Sequence, residues 1–216
     1  MQRILKDIIM SSNKWNKEFE LNYFKNKVPT TNPKVYENEL MRKFNFLKVQ
    51  YNLSSLDPSD KFLDIGAGSY GGMLRFIPKA KEKIITDPLA KEFVGLGHLP
   101  SDISAIESYA EDLPFDNDHF DAVFSCESLD HVDSREIFDL AVKEMFRVTR
   151  SGGLVFFEMP IRPKAIQGHP ISLQCITIKE IEDMFEELAS EIIFTSHPNQ
   201  SPQFGSPNPV IVVARK

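Results

Sequence analysis

Eleven residues, Phe62 to Gly72 (FLDIGAGSYGG), run from an apolar segment into a turn that holds four glycines. Glycine suits a sharp backbone turn and lets a ligand approach without a β-carbon in the way. Gly66, Ala67 and Gly68 form the centre of the turn, Asp64 stands two residues before Gly66, and Asp87 follows Asp64 by 23 residues. Taken alone, G-A-G-S-Y-G fits a dinucleotide-binding pattern, with Asp87 close to where a ribose-binding acid is expected. A carboxylate at Asp64 argues for a different nucleoside, because it would repel a pyrophosphate and suit a cationic amino-acid moiety. The strand also begins some sixty residues into the chain instead of opening it.

The elements needed to position these residues are visible around them. From Lys61 onward apolar strand segments alternate with helical ones: FLDIG, KIITD, AIESYA, FDAVFSC and GLVFFEM, then EIIFTS and PVIVVAR. Such alternation predicts a parallel sheet with helices on its faces. The spacing predicts a helix from about Ser134 to Thr149, with Ser134 as N-cap, Ile137, Phe138, Ala141, Met145 and Phe146 on one stripe, and Gly152 and Gly153 ending it. A second helix opens at Thr177 with a capping-box spacing to Glu180. The last two strands are joined by a Pro- and Asn-rich stretch too short for a crossover helix, so they are expected to be antiparallel neighbours.

Upstream, Leu40, Met41, Phe44, Leu47, Val49 and Tyr51 recur at helical spacing until SSLDPSD stops them. This divides the chain into an N-terminal helical cap, residues 1–57, and an α/β domain, residues 58–216. With 42% hydrophobic and 26% charged residues, the composition is that of an ordinary globular protein. The net charge of −6 is uneven: residues 1–61 carry 11 Lys+Arg against 7 Asp+Glu, and the remainder 14 against 24. Without a concentrated basic patch, a small molecule or short glycan is a better expectation than nucleic acid. The first residues show neither a signal-peptide core nor a membrane span, and Cys126 and Cys175 lack metal-ligand spacing. A cytoplasmic protein with reduced thiols and no metal is expected.

Downstream of the glycine turn come YAEDLPFDNDHFDAVFSCESLDHV and FRVTRSGGLVFFE. With FLDIGAGSYGG, these segments resemble class I S-adenosylmethionine-dependent methyltransferases, whose LDIGxGxG, AExLPF, FDxVxS and GG segments occur in this order. The resemblance covers roughly Lys61 to Met159. It implies a Rossmann-like, mostly parallel seven-stranded sheet of order 3-2-1-4-5-7-6 with strand 7 antiparallel. S-adenosylmethionine would lie across the carboxyl ends of strands 1, 2 and 4, as the switch-point rule for open sheets also requires. By position, Asp64, Gly66, Ala67 and Gly68 would surround the methionine part, and Asp87, with Pro88 beside it, would take the ribose hydroxyls. Tyr109, Ala110 and Glu111 would lie by the adenine, and Ser125 and Cys126 beneath the sulfonium. Tyr109 stands where the family commonly has an acid, which shifts adenine recognition toward stacking and the Ala110 N–H.

The expected reaction is methyl transfer to a small-molecule acceptor, with a sugar or glycan precursor as the first candidate. A hydroxyl acceptor needs a general base, and His131 after strand 4 and His169 in the loop after strand 5 are the candidates at that edge. Two other readings stay open on the residues alone: a non-catalytic module that keeps the cofactor fold, and an NAD-dependent oxidoreductase.

Overall fold

The apolar run KFLDI folds as β1 (Lys61–Ile65), the centre of the sheet, in a computed structural model of the chain. The structure describes residues 60–77, 79–132, 134–160, 176–196 and 209–216, together with Asn22, Asn38, Met41, Phe44 and Asn45. After β1 the chain turns through two short 3-10 helices, Gly68–Tyr70 and Gly72–Phe76. There follow β2 (Glu82–Asp87), α1 (Ala90–Gly95), β3 (Ser104–Glu107) and β4 (Phe120–Cys126). A 3-10 turn, Leu129–His131, leads to α2 (Arg135–Val148), β5 (Thr149–Pro160), α3 (Ile178–Leu188), β6 (Glu191–Ser196) and β7 (Pro209–Arg215).

The seven strands form one sheet of order β3-β2-β1-β4-β5-β7-β6, in which only β7 runs antiparallel to its neighbours. This is the Rossmann-like order expected, including the final antiparallel pair. Strand order reverses at β1, so the carboxyl ends of β1 and β4 open a crevice there. Alternation of side chains along each strand divides the core in two. Leu63, Ile65, Val123, Val155, Phe157 and Val212 face Phe138, Met145 and Phe146 of α2 and Ile181 and Phe185 of α3. Phe62, Ile85, Phe124, Phe156 and Ile211 face Met73, Leu74 and Ile77 of the turn after β1, and Phe44 joins that side. Each fully buried Phe stabilises the fold by roughly 1.5–3 kcal/mol relative to exposure, so Phe138, Phe157 and Phe185 fix α2 and α3 firmly on the sheet.

Both helix starts follow the sequence. Ser134 Oγ accepts from Ile137 N (3.3 Å), and Thr177 and Glu180 complete the reciprocal capping box. The end of α2 differs from the expectation. Thr149 is already extended and begins β5, so Gly152 and Gly153 do not cap the helix. They sit inside β5 where its register with β4 shifts, Phe120 pairing Thr149 and Ala122 pairing Leu154. Gly152 takes φ 72°, and a β-carbon on Gly153 would overlap Thr149 and two carbonyl oxygens, so glycine lets the strand absorb the extra residues. Strand β3 also ends earlier than AIESYA suggests, at Glu107, which leaves Tyr109 and Ala110 in the loop.

Five positions of the expected cap, residues 1–57, are described, all helical. One of them, Phe44, is buried with its ring 5.7 Å from that of Phe76. The rest of the cap, with Trp15, Tyr23, Phe24 and Arg42, lies outside the described residues. No helix among the described residues is long and apolar enough to cross a membrane. Among them, too, no three His, Cys, Asp or Glu gather to hold a metal ion.

Candidate functional site

The glycine turn is built by hydrogen bonds between strand ends. Gly66 takes φ 67° and donates its N–H to Thr86 O (2.7 Å), which sews the end of β1 to β2. Gly68, at φ 64°, donates to Asp87 Oδ2 (3.3 Å), and Asp87 Oδ1 accepts from Leu89 N (2.8 Å). The carboxylate at the end of β2 thus holds the turn on one side and the entry to α1, with Pro88 between, on the other. A β-carbon built on Gly68 meets nothing within 4 Å, so the turn presents bare backbone to open space. Gly66 is closed instead: a β-carbon there would overlap Ser128.

Asp64 is 1% exposed, and its Oδ2 accepts from Met73 N (2.7 Å) at the start of the second 3-10 helix. Burial pushes its pKa up to about 7, with the Met73 N–H opposing the rise. The side chain therefore organises the turn from beneath. Ala67 packs beside it and is buried.

On the neighbouring strand end, Ser125 is buried and its Oγ lies 2.8 Å from Ser128 Oγ, which donates to Ile65 O (3.0 Å). This ties the chain after β4 to the end of β1. Cys126 is half-buried. Glu127 follows with φ 50°, and its N–H donates to Glu158 O (2.9 Å) on β5. His131 ends the short 3-10 turn beyond β4, half-buried, with Nε2 3.6 Å from an oxygen of the buried Asp130.

On the β2 side the segment after β3 carries Tyr109, which is 50% exposed, and half-buried Ala110 and Glu111. Arg147 of α2 fixes the loop that follows, donating to Leu113 O (2.9 Å), Phe115 O (2.7 Å) and Asn117 Oδ1 (3.0 Å). Glu144 Oε2 accepts from Leu113 N (2.9 Å) and also from Arg147 Nη2 (2.8 Å).

The structure therefore gathers Asp64, Gly66, Ala67, Gly68, Asp87 and Pro88 around the glycine turn at the ends of β1 and β2, with Ser125 and Cys126 at the adjacent strand end. Tyr109, Ala110 and Glu111 follow β3 on the far side of Asp87, and His131 follows β4. His169, with Arg162 and Lys164, lies outside the described residues. Three positions escaped the sequence reading. Gly72 accommodates the Asp64 carboxylate, Ser128 clamps the crossover, and Glu158 is a buried carboxylate on β5. The signal for Glu158 is present in GLVFFEM, an acid closing an apolar strand, the same pattern as Asp64 in FLDIG.

The shape of the turn separates the two nucleoside readings. A dinucleotide site seats pyrophosphate on the N-terminus of an α-helix, where aligned peptide dipoles and free N–H groups attract it. Here the turn runs into 3-10 segments of three and five residues, which offer no such dipole.

Residues 63–157 match the methyltransferase domain family. Over 118 residues the chain is 31% identical to a sarcosine/dimethylglycine N-methyltransferase of Halorhodospira halochloris, a match that covers 50% of this chain and 40% of that one. The match thus spans well under half of that relative's length. Among solved structures, the N-methyltransferase NodS of Bradyrhizobium japonicum WM9 superposes with a TM-score of 0.60 at 16% identity, covering 86% of this chain and 97% of NodS. The [4+2]-cyclase SpnF superposes with a TM-score of 0.62 at 18% identity, covering 81% and 80%. The family model thus matches somewhat less than half of the chain, and the strand order is that of the class I fold of S-adenosylmethionine-dependent methyltransferases.

Proposed function

We propose that this chain is an enzyme that binds S-adenosylmethionine along the carboxyl edge of β2, β1 and β4 and transfers its methyl group to a small-molecule acceptor. The observation that carries the reading is the Asp87 carboxylate, held by Gly68 N–H beside a turn whose outer face is bare backbone. Asp87 would take the ribose hydroxyls, Gly68 would admit the methionine part, and Tyr109, Ala110 and Glu111 would flank the adenine. Ser125 and Cys126 would stand beneath the sulfonium. When bound, the cofactor supplies an electrophilic methyl group. The protein's contribution is alignment and exclusion of water, which the buried floor of Asp64 and Ser125 favours.

Two acceptor classes follow from different observations. A sugar or glycan precursor is the expectation from the sequence, and its hydroxyl would need a base, with His131 or His169 in that role. A small amine is favoured by the curated relative, which is named for N-methylation of sarcosine and dimethylglycine. The likeness to a cyclase of the same fold supports a second reading, in which the chain binds the cofactor without methylating anything.

Calorimetric titration with S-adenosylhomocysteine, and separately with NAD, tests the assignment. Micromolar binding of the first and none of the second is expected. Asp87→Asn, which can still accept from Gly68, is expected to weaken binding about tenfold or more through loss of charge-assisted ribose bonds. Failure of the folded wild type to bind S-adenosylhomocysteine would remove the reading.

A further inference from the structure

Strand register lines up a row of residues across the carboxyl edge. Ile85, Asp64, Phe124 and Phe156 are paired in sequence across β2, β1, β4 and β5. Two residues further along each chain, on the same face of the sheet, come Asp87, Gly66, Cys126 and Glu158, with Cys126 and Glu158 directly paired. The face is fixed by alternation: Phe156 belongs to the core on the side of the glycine turn, whereas Val155, Phe157 and Met159 belong to the opposite side. Neighbouring strands lie about 4.8 Å apart, so Glu158 is ~5 Å beyond Cys126 and about 14 Å from Asp87.

On the proposed function, a nucleoside held by its ribose at Asp87 runs along this row and ends with its transferable methyl near Cys126. The next position in the row is then the acceptor's. From this placement we propose that Glu158 is the acceptor-site carboxylate and that it selects an amine, received as its ammonium, over a neutral hydroxyl compound. Glu158 is 1% exposed, and a carboxylate so withdrawn from water holds its charge only beside a cation, which an ammonium supplies and a hydroxyl does not. A sugar hydroxyl carries no charge to match it. The same group settles the proton: the ammonium gives its proton to Glu158, and the freed nitrogen lone pair takes the methyl carbon. The carbon–sulfur electron pair stays on sulfur, leaving a neutral thioether, a methylated ammonium and a protonated Glu158 that returns its proton to solvent.

The inference rests on the cofactor reading, and the test separates the two. Sinefungin has the adenosine and amino-acid parts of S-adenosylhomocysteine but presents a protonated amine where the transferable methyl would stand. By calorimetry, wild type is expected to prefer sinefungin over S-adenosylhomocysteine by about tenfold or more, as a charge-assisted bond provides. Glu158→Gln is expected to abolish that preference while leaving S-adenosylhomocysteine affinity within about twofold. A preference retained in Glu158→Gln, or an equal loss for both nucleosides, overturns the assignment of Glu158. A wild type that binds the two nucleosides equally overturns it without any variant. Absence of S-adenosylhomocysteine binding overturns the cofactor reading itself. Should Glu158→Gln fail to fold, Glu158→Asp, which keeps the charge one methylene further back, is expected to lose part of the preference, and an undiminished preference there counts against the proposal.

Discussion

Gly72 and Asp64 occupy one space: a β-carbon on Gly72 would overlap Asp64 Oδ2, the oxygen that accepts from Met73 N. Gly72 also holds φ 50°, a left-handed conformation that costs an L-residue roughly 1 kcal/mol by itself. Gly72→Ala is therefore expected to destabilise the protein by about 2–4 kcal/mol, from strain plus a broken buried hydrogen bond. Gly68→Ala makes the contrast, since its β-carbon meets open space. It is expected to cost only about 1 kcal/mol in stability yet to lose S-adenosylhomocysteine binding, because the methyl fills the ligand's approach. Urea unfolding alongside calorimetry distinguishes the two.

The raised pKa of Asp64 makes stability depend on pH. Its folded-state value of about 7 lies above the ordinary 3.8, so the folded state binds the proton more tightly than the unfolded chain between these values. Stability from this group is fully present below pH ~4 and is lost as pH rises toward and through 7. Between pH 5 and 8 the loss amounts to about 2–3 kcal/mol. Asp64→Asn, whose carbonyl can still accept from Met73, is expected to flatten that slope in denaturation curves measured across the range. An unchanged slope would show that Asp64 ionises normally.

Arg147 ties the loop after β3 to α2 through the carbonyls of Leu113 and Phe115 and the side chain of Asn117. Arg147→Met keeps the aliphatic stem and removes the donors. It is expected to destabilise the fold by about 1–3 kcal/mol. Amide exchange at residues 109–117 should accelerate, and S-adenosylhomocysteine should bind severalfold more weakly.

His131 distinguishes the acceptor classes. With a hydroxyl acceptor, His131→Asn is expected to reduce turnover by about a hundredfold, the scale of general-base catalysis. With an amine acceptor, the effect should stay under about tenfold. Cofactor affinity should be unchanged in both cases, which calorimetry checks before rates are compared.

The succession of strands and helices, both capping residues and the antiparallel final pair were legible in the sequence because each depends on local pattern, whereas strand order followed only from the family resemblance. Alternating apolar residues, Ser134 and Thr177 at helix starts, and the short link before β7 are all signals within a few residues. The end of α2 was misread because a glycine pair has the same signature whether it caps a helix or bends a strand. Only the pairing of β5 with β4 decides. In the site, Asp64 and Asp87 were visible as acids at strand ends, but the partners of Asp64 were not, since Gly72 and Met73 reach it only once the turn closes. Ser128 and Glu158 were missed for a related reason. Their importance comes from register between β1, β4 and β5, a relation among segments up to about a hundred residues apart that no local pattern encodes.

The place of β7 imposes an order of events on folding. Among the described residues strand β6 pairs only with β7, which connects it to β5, so within them β6 has no sheet to join until the chain has passed beyond it and returned. Until then β5, whose residues Val155 to Met159 are all buried in the finished protein, exposes an unpaired edge. A five-stranded sheet formed before β7 arrives would carry as its exposed flank the strand bearing Glu158. Molecular chaperones that shield such edges would matter most in the interval before residues 209–215 emerge.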